Sequence, residues 1–385
     1  MKNNFLKAKG SDFAMLVISL IGLLGIGLTM VLSASSVTSI EKSGNAYSIF
    51  FKQLLFVLVG LAAIFIIHRL DYSIWKKIAR FSFLGGIFLL IAAVVLGRSV
   101  NGNKNWIALG PFSLQPSEFA KLAMILFCAH QMNKIEIAKS KGGSISPLIA
   151  VGPITVVFVG LILAGKDLGT ALIFMGIAMI LLFLAGLEKK YFLGSGALLI
   201  AGVAVLVVTQ PNRLKRFKAL LDPFAPDVYK LAGWQPAHSL MGLASGGLFG
   251  VGIGSSKQKW ANLAEAHTDF IFSVIGEEMG LLGTLIVISL YILLLFAIFR
   301  ISITSKSYFE KYAVAGIGIW FTLQILTNVA TNIGIIPVIG VTLPFISYGG
   351  SSVVANSIAM GFIFKIALNQ SGKASRSTES KRIAS

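Results

Sequence analysis

Acidic residues are scarce in this chain: 15 Asp and Glu stand against 33 Lys and Arg, a formal net charge of +18. Charge of either sign is thin, at 12% of 385 residues, where a soluble domain carries about a quarter. That scarcity excludes an ordinary soluble enzyme. It also excludes nucleic-acid binding, because no compact basic domain exists to carry it. Cys128 is the single cysteine, so no internal disulfide can form and nothing follows about redox compartment. Only four histidines occur (His68, His130, His238 and His267), and none has metal-ligand spacing. No Walker lysine follows any glycine-rich stretch and no dinucleotide fingerprint follows a strand pattern, so ATP and NAD drop out as direct cofactors.

What is present is apolar: 56% of the residues are hydrophobic. Spans of roughly 20 apolar residues fall at about 13–33, 50–68, 80–97, 116–132, 148–164, 168–187, 190–209, 270–299, 312–331 and 350–369. The expectation is an all-α, polytopic membrane protein of about ten transmembrane helices with a large extracytoplasmic loop, 210–268, between helices 7 and 8. Basic clusters at Lys2/Lys7/Lys9, Arg69–Arg80, Lys134–Lys141, Lys189/Lys190 and Arg300–Lys311, and from Lys365 onward, alternate with poorer loops. Both termini should therefore be cytoplasmic, with 1–12 as a short leader into a retained first span and 370–385 as a disordered tail. The 210–268 loop is basic although it should lie outside. A long loop tolerates that charge, and an anionic ligand would suit it.

Asp269 is the most informative residue. It ends the polar string Glu265-Ala266-His267-Thr268-Asp269 just before the eighth span, where a carboxylate is costly to keep dry and well placed for chemistry. Its bland alternative is a helix cap or first-turn acid. Glu277 and Glu278 lie about 12 Å or more deeper on the same helix, too far to pair with Asp269, and should brace the bundle. Glu118 and Lys121, three apart at the start of the fourth span, can pair as a cavity wall or simply as structure. Asp167 opens the sixth span as a helix cap or a second acid. Gly349-Gly350-Ser351-Ser352 precedes the tenth span, where converging N–H and hydroxyl groups suit a phosphate oxygen or a capped turn. Asn332–Pro344 is apolar but broken by Gly334, Pro337, Gly340 and Pro344, and reads as re-entrant backbone packed on protein. The glycines of 245–254 permit close approach to a ligand or to the bundle.

Together these strings resemble the SEDS family (FtsW, RodA and SpoVE), which polymerises bacterial cell-wall glycan. The matching motifs, in order, are Asn105-Trp106-Ile107 with Leu109-Gly110-Pro111, Gln115-Pro116-Ser117-Glu118 with Lys121, and Asp167-Leu168-Gly169-Thr170. Pro211-Asn212-Arg213-Leu214 and Gly233-Trp234-Gln235 follow, then Glu265–Phe272 with Glu277-Glu278, then Leu343–Ser352. The set covers about 13–369, and Glu265-Ala266-His267 and Pro344-Phe345-Ile346 look closer to the division members. Asn105, Ala264 and His238 depart from the usual family residues. The resemblance implies a ten-span fold, an outward cavity in the bacterial plasma membrane, lipid II and undecaprenyl-linked glycan as substrates, and a class B penicillin-binding protein among other divisome partners. It makes Asp269 the catalytic acid/base. It makes Glu118, Lys121, Asp167, Asn212, Arg213, Arg216, Gln235, Ser239, Glu265, His267, Ser347, Gly349, Gly350, Ser351 and Ser352 the substrate-binding candidates. A divalent cation (Mg or Mn) at the pyrophosphate is compatible with the chemistry, although no ligand cluster demands one. Two other readings stay open: a lipid II flippase, which needs a polar track to the cytoplasmic side, and a non-catalytic division scaffold.

Overall fold

The computed structural model describes residues 9–100, 103–110, 112–260 and 263–383. Lys2, Lys7 and most of the expected leader, together with Pro111 and the last two residues of the tail, lie outside the described residues. Every expected span is a helix. They are α1 (Lys9–Ser43), α2 (Ser48–Ile67), α3 (Tyr72–Leu96), α4 (Pro116–Ser140), α5 (Pro147–Ala164), α6 (Leu168–Leu184) and α7 (Lys189–Val208). The last three are α10 (Ile271–Thr304), α11 (Tyr308–Asn332) and α12 (Gly350–Ile383). Eight of these are long and apolar enough to cross a membrane. α6 is shorter at 17 residues, and α4 carries charges within its first two turns. Large side chains such as Leu198, Ile149, Val95 and Phe88 stand more than two-thirds exposed on the peripheral helices, a surface that only lipid can cover. The protein is a multi-pass membrane protein.

The least apolar helices sit in the middle. α4 packs against α3, α11, α5, α12 and α6, whereas α7 buries none of its residues and meets only α6 and the loop helix α8. The order follows from solvent: lipid accepts a helix that is apolar all round, so polar side chains are placed where other helices can partner them.

Three features differ from expectation. A three-stranded antiparallel sheet, β1 (Arg98–Val100), β2 (Asn103–Leu109) and β3 (Phe112–Leu114), links α3 to α4. It docks through Lys104 N–H donating to Gly165 O at 3.0 Å. Its strands are too short for their alternation to stand out beside the spans. The loop 210–268 contains two helices, α8 (Pro211–Leu221, started by its proline) and α9 (Trp234–Ser245). The third is the tail, expected as disordered, where the α12 backbone runs helical to Ile383.

α10 is not continuous. At Gly280 (φ 67°, ψ −165°) the helix breaks. Residues 247–252 fill the gap: Val251 and Gly252 N–H donate to Glu277 and Glu278 O at 3.0 and 3.1 Å, while Leu281 and Leu282 N–H donate to Gly247 and Leu248 O at 2.9 and 3.1 Å. Backbone groups freed by the break thus find partners, as an apolar setting requires. The glycines of 245–254 therefore serve approach to the bundle. A Cβ on Gly250 (φ 82°) would fall on the Glu278 carbonyl. Gly250→Ala should cost about 2–4 kcal/mol, from overpacking plus a left-handed backbone, and a lowered unfolding temperature of the purified protein would register it.

Candidate active site

Asp269 stands one residue ahead of the α10 cap position, which Phe270 occupies, so the helix-cap reading of this acid fails. Its segment is held by its own carbonyls, one after another. His267 O accepts from Tyr348 N–H at 2.8 Å, and Thr268 O from Ser347 Oγ at 2.7 Å. Asp269 O accepts from the side-chain amides of Asn328 and Asn332, each at 2.9 Å. Glu265, at φ 59°, closes the turn below by accepting from Thr268 and Phe270 N–H. None of these bonds uses the Asp269 carboxylate.

Turn 333–349 lies beside the Asp269 side chain and against α8 and the start of α6. A Cβ on Gly340 would meet Asp269 Oδ2 at 3.5 Å. Arg216 Nη1 donates to Val338 O at 3.0 Å, two residues earlier. Gly169 abuts Ile339, which brings Asp167 to the same place. Burial, then the charge of Glu265, push the Asp269 carboxyl up to about 7, with Asp167 adding to the rise and the Arg216 guanidinium opposing it. Burial lowers His267 below the usual imidazole range, and its ring rests against Tyr348, 5.5 Å between centroids. Positive φ at non-glycine residues occurs, among the described residues, only at Lys166, Glu265 and Phe345, each within four residues of Asp167, Asp269 or Ser347. Such strain collects where surrounding structure fixes a functional segment.

A second polar cluster lies beside the first. Lys121 Nζ and Glu118 Oε1 pair at 2.7 Å, both nearly inaccessible, with Lys121 5.0 Å from the Trp320 ring centre. Asp167 caps α6 by accepting from Thr170 N–H at 3.0 Å and also receives the Asn105 amide. A crevice lined by Asn105, Ser117, Lys104, Gly165 and Asp167 opens between them, and Ser117 Oγ, Glu118 Oε2 and Asn105 Oδ1 are buried there without partners. Asp167 is thus the cap of α6 and also lines this crevice.

Several sequence candidates occupy supporting positions instead. Gly349 N–H is taken by Gln53 Oε1 at 3.2 Å. Ser351 Oγ accepts from Gln115 N–H at 2.9 Å, and Ser352 bonds Thr342 and Asn356. Gly350 is small because the Phe56 ring lies against it. At 349–352 the Gly349 N–H and both serine hydroxyls are engaged within the protein, as a braced turn would have them. Arg213 donates to Leu206 O at 2.9 Å at the end of α7, and Ser239 is fully buried against Ser273 and Asn332 O. Gln235 is half-buried in the first turn of α9, and the side chain of Asn212 lies outside the described residues. Sequence reasoning missed Gln53, Asn328 and Asn332. Polar amides inside apolar spans were the signal that could have found them.

The family model described as "Cell cycle protein", FTSW_RODA_SPOVE, matches residues 14–372. The chain is 36% identical over 372 residues to a "Probable peptidoglycan glycosyltransferase FtsW" of Geobacter sp. (strain M18), covering 96% of this chain and 100% of that relative. It is 38% identical over 358 residues to a protein of the same name from Legionella pneumophila, covering 91% and 89%. It is also 35% identical over 364 residues to "Stage V sporulation protein E" of Bacillus subtilis, covering 94% and 98%. Among solved structures, a chain of a peptidoglycan synthase complex described as coordinating polymerization and crosslinking superposes with TM-score 0.75 at 26% identity, covering 92% and 97%. The rod shape determining protein RodA of Thermus thermophilus gives TM-score 0.68 at 25% identity, covering 92% and 96%.

Proposed function

The chain belongs to the FtsW/RodA/SpoVE family, and from that membership we propose that it is a peptidoglycan glycosyltransferase polymerising lipid II into β-1,4-linked glycan. Asp269 is the general base. Its carboxylate takes the proton from the 4-hydroxyl of the incoming sugar as that oxygen bonds to the anomeric carbon of the growing chain. The anomeric bond to phosphate breaks on the opposite face, its electron pair leaves with undecaprenyl pyrophosphate, and the α link inverts to β. One well-placed carboxylate suffices for inversion, by analogy with inverting glycosidases. The observation that carries this reading is Asp269 itself: a carboxylate whose backbone is restrained without use of its side chain, and whose ionisation near 7 suits a base.

Arg216 supplies positive charge beside that carboxylate, and Asp167, whose charge also reaches it, links it to the polar group of Lys121, Ser117 and Asn105. Arg216 and Lys121 are the candidates for the leaving diphosphate. A divalent cation (Mg or Mn) at the pyrophosphate is compatible with this chemistry, since one or two carboxylates and the phosphates themselves can hold such an ion; among the described residues no group of three or more His, Cys, Asp or Glu side chains gathers as a metal site. A class B penicillin-binding protein is the proposed partner, with septal wall synthesis and other divisome proteins as the setting. The alternating basic loops support cytoplasmic termini and an extracytoplasmic Asp269. A flippase is less well supported, because Glu277 and Glu278, the acids that would extend a polar track, are spent on loop 256–259.

Reconstitution of the purified chain with lipid II, with and without a class B partner, followed by glycan sizing, tests the reading. Polymer from wild type and none from an Asp269 variant is expected; no polymer under either condition rejects it. Arg216→Ala should move the rising limb of the pH–rate profile to higher pH, because the cation that favours the ionised carboxylate is gone. An unmoved limb would dissociate Arg216 from the base.

A further inference from the structure

α1 and α10 run side by side and are tied at two levels. At one end Arg300 pairs with Asp12 at 3.2 Å. At the other, Ser33 Oγ donates to Glu278 at 2.6 Å, and Lys259 Nζ pairs with the same carboxylate at 3.3 Å. Asp12 to Ser33 and Glu278 to Arg300 are each roughly 21–22 residues, about 32 Å of helix. No charged residue lies inside either interval. Two independent helices therefore measure out the thickness of a hydrocarbon core, about 30 Å, between the same two polar layers. The Glu277–Glu278 layer marks the boundary on the Asp269 side.

Immediately on the membrane side of that boundary lies hairpin 247–253, bonded to Leu281 and Leu282. Its side chains turn outward: Leu248 is 61% exposed, Phe249 77% and Ile253 62%. They are continuous with Leu281, Leu282, Leu285 and Ile286, the exposed apolar face of a spanning helix. Trp260, next to Lys259 in the polar layer, is exposed as well, and an indole favours the membrane–water interface. Four backbone hydrogen bonds join the hairpin to the broken helix, which lowers the cost of sitting at that depth.

We propose that residues 247–253 form an interfacial anchor whose Leu248, Phe249 and Ile253 contact lipid acyl chains, with Trp260 at the headgroup level. The occupant is lipid because the surface continues a lipid-facing helix and begins where the charge-free interval begins. Seated there, the anchor fixes the height of the site. The nine residues from Glu278 back to Asp269 lift the carboxylate about 13 Å above the hydrocarbon. That is beyond a headgroup layer of about 5–8 Å, where a sugar on a lipid diphosphate would stand. The height argument rests on the proposed function; the lipid contact does not.

Cys128 is fully buried, so the full-length wild-type chain serves as the label-free background. Phe249→Cys, Ile253→Cys and, as a water-facing control, Asp227→Cys are labelled with bimane and reconstituted in phosphatidylethanolamine/phosphatidylglycerol vesicles. Positions 249 and 253 should lose most of their fluorescence when the lipids carry bromine on the acyl chains and lose little to aqueous iodide, with the reverse at 227. Ile253→Cys reads the same contact if Phe249→Cys does not fold, and neither readout needs activity. Iodide quenching at 249 and 253 equal to that at 227 would overturn the proposal. Disulfide-linked dimers through position 249 would overturn it in favour of a second copy of the chain.

Discussion

Asp269→Asn is expected to abolish glycan polymerisation, with a rate loss on the order of 10²–10⁴ or more, the range for removing a positioned general base. The amide keeps the size of the side chain and leaves the carbonyl contacts to Asn328 and Asn332 intact, so protein abundance should hold. The wild-type rate should rise with pH and level off above about 7, because only the ionised carboxylate accepts the proton. Stability should run the other way. With the folded value raised above the ordinary 3.8, the folded state binds more protons than the unfolded chain between these limits. The Asp269 contribution is therefore present at low pH and lost as pH rises through about 7. Asp269→Asn, neutral throughout, should gain on wild type as pH rises from about 4 to 7, melting at or above it at pH 8.5 and with a smaller difference at pH 5.5. A variant that polymerises normally, or that loses activity only by unfolding, would remove Asp269 from the chemistry.

The second large effect lies away from the reacting atoms. Glu278→Ala should destabilise the protein by about 3–5 kcal/mol, since it strands the buried Lys259 ammonium. Glu278 also accepts from Ser33 Oγ and Ser256 N–H, so three segments lose a common anchor. Thermal unfolding in detergent measures the loss. Adding Lys259→Met to Glu278→Ala should recover part of it, because the orphaned charge disappears with its partner. If the double variant is no better than the single one, the ion pair is not the source of the cost. Activity should fall with folded protein, since loop 247–259 leads directly into the Asp269 segment.

Much of this organisation was legible in the sequence. Ten apolar runs gave ten helices, because a backbone in lipid must satisfy its own hydrogen bonds and the helix does so within one segment. Glu277 and Glu278 read correctly as braces, since helical rise alone put them out of reach of Asp269. At the 349–352 turn the sequence leaves two readings open. Paired glycines and serines describe an anion cradle and a braced turn equally well, and only the approach of Gln53, Phe56 and Gln115 decides between them. The break at Gly280 was hidden for a similar reason: one glycine in a helix is tolerated, and its left-handed backbone depends on a hairpin some thirty residues earlier. The small sheet at 98–114 was lost because its strands are shorter than any period that could reveal them.

The sequence by itself determined the solvent, the run of apolar helices, the family and the acid proposed as the base. Each of these is written in local composition, in a period or in a contiguous motif. Tertiary structure alone decided which polar groups hold the Asp269 segment: Asn328 and Asn332 take the Asp269 carbonyl, Ser347 and Tyr348 take those of Thr268 and His267, and Gln53 takes the Gly349 N–H. Partner choice among distant side chains is a matter of packing, and no local pattern records it.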